Sequence, residues 1–310
     1  MNLGFTNTLR TWTLLAALGG ILIAVGGLLG GQSGMVLALV FAVLMNGFVY
    51  WTSDKLALKA NGARPLAPGE QPQLTQIVTA LAQRAGIPVP PIYIVDRPEP
   101  NAFATGRSPS HSAIAVTTGL LSIMDERQLT GVLAHELSHI RNRDTLVGTI
   151  AATIGGAVSF LAHMAQFQLF FGGGRDEEGG SPAGAIAAMI LAPIAAMIVQ
   201  LAVSRGREYG ADASGAALTG DPESLAQALE KLDAAARQQP GVLGRFRGRP
   251  QSQQPQPAMN PAFASLYIVN PLRGASAGSL FSTHPPIAQR VARLRSMRAN
   301  RISTPVARTR

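Results

Sequence analysis

Long apolar blocks alternate with stretches of short-period pattern along this chain. Thr11 to Leu29 carries no charge, and a helix of ~20 such residues crosses a bilayer. After Gly30-Gly31-Gln32-Ser33-Gly34 a second block runs from Met35 to Trp51. The two predict a helical hairpin held in the membrane, with Trp12, Tyr50 and Trp51 at its interfaces. No small-x-small cleavage site follows the first block, which argues against a signal peptide. Leu146 to Gln166 and Ala183 to Val203 form a second apolar pair. The former has Gly148, Ala152, Gly155 and Gly156 at close-packing spacing, and Pro193 can kink the latter. A flexible acidic loop, 172–182, joins them.

Between the blocks the periods shorten. Leu74, Ile77, Val78 and Leu81 have helical spacing, and Gly86 ends that helix. Pro91–Val95, Asn101–Gly106 and Ala113–Thr117 read as strands, the last two separated by a polar turn, Arg107–Ser112. Leu120–Met124 opens a helical stretch. The next helix starts at Asp125-Glu126, acids that suit its N-terminal dipole, and presents Leu129, Val132, Leu133, Leu137 and Ile140. Ser204–Asp212 and Ser224–Ala236 are further helices. Residues 238–261, rich in Gln, Pro, Arg and Gly, show no periodicity and are expected to be a mobile insert.

The expected fold is therefore mainly α with a small β-sheet: four transmembrane helices plus one soluble domain. Its parts are an N-terminal membrane hairpin (1–52), a first soluble part (53–145), a second membrane hairpin (146–203), a second soluble part (204–297) and a basic tail (298–310).

Composition supports this division. Of 310 residues 47% are hydrophobic but only 5% aromatic, and the mean hydropathy is +0.20. The net charge of +9 comes almost wholly from arginine. No zinc-finger or basic-helix pattern points to nucleic acid; the arginines flank apolar blocks, which fits an anionic membrane surface. Arg10, Lys55, Lys59, Arg64, Arg141, Arg143, Arg205 and Arg207 fall on one side if four helices alternate. The positive-inside rule then places both termini and the soluble domain in the cytoplasm, in a multi-pass cell-membrane protein. There is no cysteine, so disulfides and thiolate ligands are excluded.

Against this background His135-Glu136-Leu137-Ser138-His139 stands out. Two histidines one helical turn apart can grip one metal ion, and Glu136, about 100° round the helix, can reach a water on that ion. A catalytic zinc site needs a third protein ligand and an open position. Glu208 is the best candidate: it follows the fourth apolar block as His139 precedes the third, so antiparallel blocks bring both to one membrane surface. Asp212, a turn further on, shares its face and can orient an imidazole. A solvated Arg-Glu-Asp face is the plainer alternative for this helix. Asp144 is expected to cap the third apolar helix, with a contact to the site as the alternative, and His163 to be a buried polar residue, with an accessory metal contact as the alternative.

The H-E-L-S-H run, Ser204–Asp212 (S-R-G-R-E-Y-G-A-D) and Phe281–Pro286 (F-S-T-H-P-P) together resemble the M48 metallopeptidases, above all the HtpX-type membrane heat-shock proteases. Asn101–Gly106 (N-A-F-A-T-G) and the hydrophobic layout agree; the insert around 238–261 is the departure. The resemblance implies a zincin-like domain of the gluzincin type, with one Zn2+ held by His135, His139 and Glu208, and Glu136 as base. It also implies an inner-membrane endopeptidase acting on misfolded or damaged membrane proteins. The longer metzincin pattern fails, since Asn142 and Thr145 stand at its Gly and third His.

His284, in the stiff T-H-P-P context, is a candidate oxyanion donor, or else a turn histidine. Asn101 and Phe103 are candidate substrate contacts if their strand is an edge that pairs with a peptide; a core strand is the alternative. Two other functions stay open: a catalytically silent zinc-binding scaffold, against which Glu136 speaks, and a transporter, against which the near absence of intramembrane charge speaks.

Overall fold

Helix α4, Glu126–Arg141, lies between a four-stranded sheet and two C-terminal helices, and most of its residues are buried. Its start is fixed locally. Asp125 accepts from the Gln128 N–H at 2.8 Å while the Gln128 side chain reaches back to the Asp125 N–H, a reciprocal cap worth about 1 kcal/mol. Leu129, Val132, Leu133, Leu137 and Ile140 then face the core as their spacing predicts.

The structure is a computed structural model that describes residues 3–148, 205–238, 268 and 285–303. The second apolar pair, apart from 146–148, lies outside the described residues, as do His163, the acidic loop, the rest of the insert, and His284.

In chain order the elements are α1 (Leu3–Ala60), β1 (Ala63–Pro65), α2 (Pro72–Ala85), β2 (Ile92–Val95), β3 (Ala102–Ser108), β4 (His111–Thr117), α3 (Thr118–Ile123), α4, α5 (Arg205–Thr219), α6 (Pro222–Gln238) and α7 (Ile287–Ser303). The sheet order is β1-β2-β4-β3, with β2 parallel to β4 and the other pairs antiparallel. β1 was not expected, because three residues ending in proline give no alternating signal. The predicted turn Arg107–Ser112 is tighter than expected, since β3 runs to Ser108 and β4 restarts at His111. A bulge between Gly106 and Ser108 makes the bend. Gly106 is required there: its φ is +133°, and a β-carbon would collide with the His111 backbone.

The two N-terminal apolar blocks fall within one assigned helix, α1, which nonetheless doubles back. Gly31 has a φ of +57°, a left-handed residue that ends an α-helical path. Trp12 and Tyr50, equidistant in sequence from Gly31, stack with ring centroids 6.4 Å apart. A straight helix would hold them about 57 Å apart. Among the described residues no helix is long and apolar enough to cross a membrane. The second arm runs past residue 52 to Ala60, and Leu58 packs with Val95, Phe103, Ala113 and Ala115 on one face of the sheet. On the other face α4 packs against the sheet, with α2 and α6 packed on α4, and in this main core Leu74, Ile77, Val78 and Leu81 are buried as predicted.

Candidate metal centre

α4 and α5 cross so that His135, His139 and Glu208 converge, all offering a ligand atom within 4.8 Å of one another. The two Nε2 atoms are 3.2 Å apart, and the Glu208 oxygens lie 3.7 Å from His135 Nε2 and 3.6 Å from His139 Nε2. Behind each ring stands a carboxylate: Asp212 is 3.0 Å from His135 Nδ1, and Asp144 is 3.0 Å from His139 Nδ1.

This donor set fits zinc. With each Nδ1 facing a carboxylate, both Nε2 atoms point into the same space, which either a proton shared between them or a metal ion must occupy. A tetrahedral ion with Zn–N bonds of about 2.0–2.1 Å separates two nitrogens by about 3.3 Å, close to the observed spacing.

Arg290 of α7 completes the polar core. It is fully buried, and its guanidinium meets Asp212 through Nε at 2.8 Å and Nη2 at 2.7 Å, with Glu208 at 3.4 Å from Nη1. Burial alone would raise the Asp212 pKa; the charge of Arg290, followed by the hydrogen bonds from His135 and Arg290, holds it below the ordinary carboxylate range. Burial depresses His135, against the opposing hydrogen bond to Asp212. At His139 burial acts the same way, but the Asp144 hydrogen bond and the Glu208 charge outweigh it and push the pKa up to about 9. Burial pushes Glu136 up to about 8.

Glu136 is buried against the sheet and accepts from the backbone N–H of Ala104 in β3. β3 is an edge strand, and its Ala104 N–H turns to Glu136 of α4. Thr145 Oγ1 donates to the Gly106 carbonyl of the same strand at 3.0 Å. Asn101, just before β3, is buried; its Oδ1 accepts from the Ile268 N–H at 3.1 Å, and its Nδ2 has no hydrogen-bond partner among the described residues.

Of the residues singled out in the sequence, His135, His139, Glu136, Glu208 and Asp212 are therefore brought together. Asn101 borders them. Phe103 is not brought to the site: it is 1% exposed and packed under α1, because side chains alternate along a strand. Asp144, expected as a cap, also reaches His139. Arg290 was missed. Its signal was its register, for it falls in the buried stripe Ile287, Val291, Leu294, where a charge needs a partner.

The model of peptidase family M48 matches residues 68–298. Over 292 residues the chain is 50% identical to a protein named "Protease HtpX homolog" from Desulforapulum autotrophicum, covering 93% of this chain and 89% of that one. A protein of the same name from Thermococcus sibiricus is 47% identical over 302 residues, covering 96% and 98%. Among solved structures, S. mikatae Ste24p aligns with a TM-score of 0.49 at 20% identity, over 94% of this chain and 66% of that chain. The chain belongs to peptidase family M48 and is a metallopeptidase related to the proteins named for the protease HtpX.

Proposed function

We propose that this chain is a zinc-dependent endopeptidase of the cell membrane, hydrolysing peptide bonds of misfolded or damaged membrane proteins at the cytoplasmic face. The observation that carries the chemistry is the pair of Nε2 atoms 3.2 Å apart, each ring backed by a carboxylate and both faced by Glu208. His135, His139 and Glu208 would hold the ion, and Asp212 and Asp144 would fix the rings. A bound zinc ion supplies Lewis acidity, acidifying a water and polarising the scissile carbonyl.

The chain's own groups do the rest. The Glu136 carboxylate takes a proton from the attacking water and returns it to the leaving amine. Its burial strengthens every electrostatic interaction around it by excluding solvent. Arg290 keeps Asp212 ionised, so the His135 ring holds its tautomer. A substrate lying beside β3 meets an edge on which Ala104 N–H and Gly106 C=O are already engaged. Asn101, just before that strand, is the candidate contact there, and its buried amide meets a peptide carbonyl only where the cover around Ile268 is displaced. His284 keeps its place as a candidate oxyanion donor on the strength of its T-H-P-P context.

Membrane residence is supported by the apolar blocks and by the surface of the second arm of α1. There Leu37, Leu44 and Val43 are 72%, 67% and 63% exposed, within a run that also exposes Phe41, Phe48 and Trp51. An apolar face of that length is stable only against lipid or another protein. The doubled α1 with Trp12 and Tyr50 at its open end suits a hairpin anchored by interfacial aromatics. The basic residues from Arg10 to Arg207 at the ends of the apolar blocks support a cytoplasmic side for the soluble domain under the positive-inside rule.

Cleavage of an unfolded membrane protein by the full chain in detergent, by Glu136→Gln and by chelator-treated protein tests the proposal. Activity is expected only in the untreated wild type, with zinc retained by Glu136→Gln. Cleavage that survives in Glu136→Gln contradicts the mechanism, and zinc bound without any cleavage in wild type favours a silent scaffold.

A further inference from the structure

Helix α5 carries Glu208 and Asp212 on one face, and Gly215, a further turn on, continues that face. Gly215 is where α5 touches α4. A β-carbon built there would sit 3.0 Å from the backbone nitrogen of His135, 3.2 Å from its Cα and 3.2 Å from the carbonyl carbon of Ala134. Those atoms are helix backbone and cannot rotate away as a side chain would, so any side chain at 215 moves the helices apart. Gly210, on the same helix, has nothing among the described residues within 4 Å of its β-carbon position. Glycine is unfavourable inside a helix, so its presence at 215 needs a reason, and the close contact supplies one.

The contact falls on the residue whose ring must be met. Glu208 has to reach both imidazoles, and its oxygens already lie at 3.6 and 3.7 Å from them, slightly longer than the nitrogen–nitrogen spacing. Asp212 must stay within hydrogen-bond reach of His135 Nδ1. A retreat of α5 by a few tenths of an ångström lengthens both reaches at once.

We propose that Gly215 is a positioning residue for the metal centre: lacking a side chain, it lets α5 seat on the backbone of α4 at His135 and so sets the distance from Glu208 to the two histidines. The inference rests on the reading of His135, His139 and Glu208 as ligands.

The test is metal affinity of the full chain in detergent by chelator competition, for wild type, Gly215→Ala and Gly210→Ala, with zinc and with cadmium, alongside melting of the metal-free proteins. Gly215→Ala is expected to weaken zinc binding by about tenfold or more, the range seen when groups that orient ligands are disturbed. Gly210→Ala should stay within about twofold, since open space and helix propensity favour alanine. Cadmium forms longer bonds than zinc, so a widened site should lose less affinity for it, and the cadmium-to-zinc affinity ratio of Gly215→Ala should rise several-fold. Unchanged zinc affinity in Gly215→Ala overturns the inference. So does an equal loss for both ions in step with a lowered metal-free melting temperature, which marks general packing only. Failure of wild type itself to bind zinc overturns the ligand assignment, and this inference with it.

Discussion

Arg290 grips Asp212 with two nitrogens, at 2.8 and 2.7 Å, in the buried interior, and the same Asp212 carboxylate lies 3.0 Å from His135 Nδ1. The C-terminal helix is thus wired to the metal-site ring through one carboxylate. Removing one partner of a buried ion pair strands the other charge. Arg290→Met is therefore expected to destabilise the soluble domain by about 3–5 kcal/mol. Arg290→Lys should recover only part of this, because a point charge cannot replace a planar fork. Denaturant unfolding of the metal-free chain checks both; a lysine variant as stable as wild type would contradict the forked contact.

The carboxylates behind the rings predict a second result. Asp212→Asn and Asp144→Asn keep shape but lose the charge that orients His135 and His139. Each is expected to weaken zinc binding by about 10–100-fold. Chelator competition measures this, and wild-type affinity in Asp144→Asn would leave that residue with a capping role alone.

The metal-free protein should lose stability as pH rises. A histidine with a raised folded pKa contributes stability that is complete below its ordinary value of 6.5 and lost as pH climbs through about 9. Glu136 is buried neutral, and the cost of ionising it grows from its ordinary 4.5 up to about 8. The two effects have the same sign. Zinc uptake at neutral pH must displace the His139 proton, and the ion's charge favours ionised Glu136 beside it, so zinc affinity should rise with pH over the same window. Melting of the metal-free chain at about pH 6 and pH 9, with calorimetric proton release on zinc addition, checks the direction; flat behaviour in both contradicts it.

The chain has no cysteine of its own, which makes the doubling of α1 easy to probe. Trp12→Cys together with Tyr50→Cys should cross-link within one chain through a short bifunctional reagent, given ring centroids 6.4 Å apart. An extended helix, with about 57 Å between these positions, would give no intramolecular product.

What the sequence disclosed follows from which signals are local. His135 and His139 are legible because one helical turn fixes their relation, and α4 is legible because Leu129 to Ile140 keep its period and Asp125 marks its start. Glu208 took a longer argument, from where the apolar blocks surface. Asp144 was misjudged in emphasis because a carboxylate just before an apolar helix suits a cap as well as a ring partner. Arg290 is one of several arginines in α7, and only its coincidence with the stripe Ile287, Val291, Leu294 separates it from the solvated ones. Phe103, a candidate substrate contact only if its strand pairs with a peptide, is buried under α1, since strand alternation does not say which face looks towards the site. Nothing in the sequence marks Gly215, whose role depends on a helix crossing.

The central claim, a single zinc ion held by His135, His139 and Glu208, is tested most directly by zinc content and X-ray absorption at the zinc edge on the purified full chain. One zinc per chain is expected, with two imidazoles at about 2.0–2.1 Å and light-atom scatterers completing the shell. Glu208→Ala should lower the occupancy. A chain that binds no zinc, or zinc with fewer than two imidazole neighbours, would contradict the account.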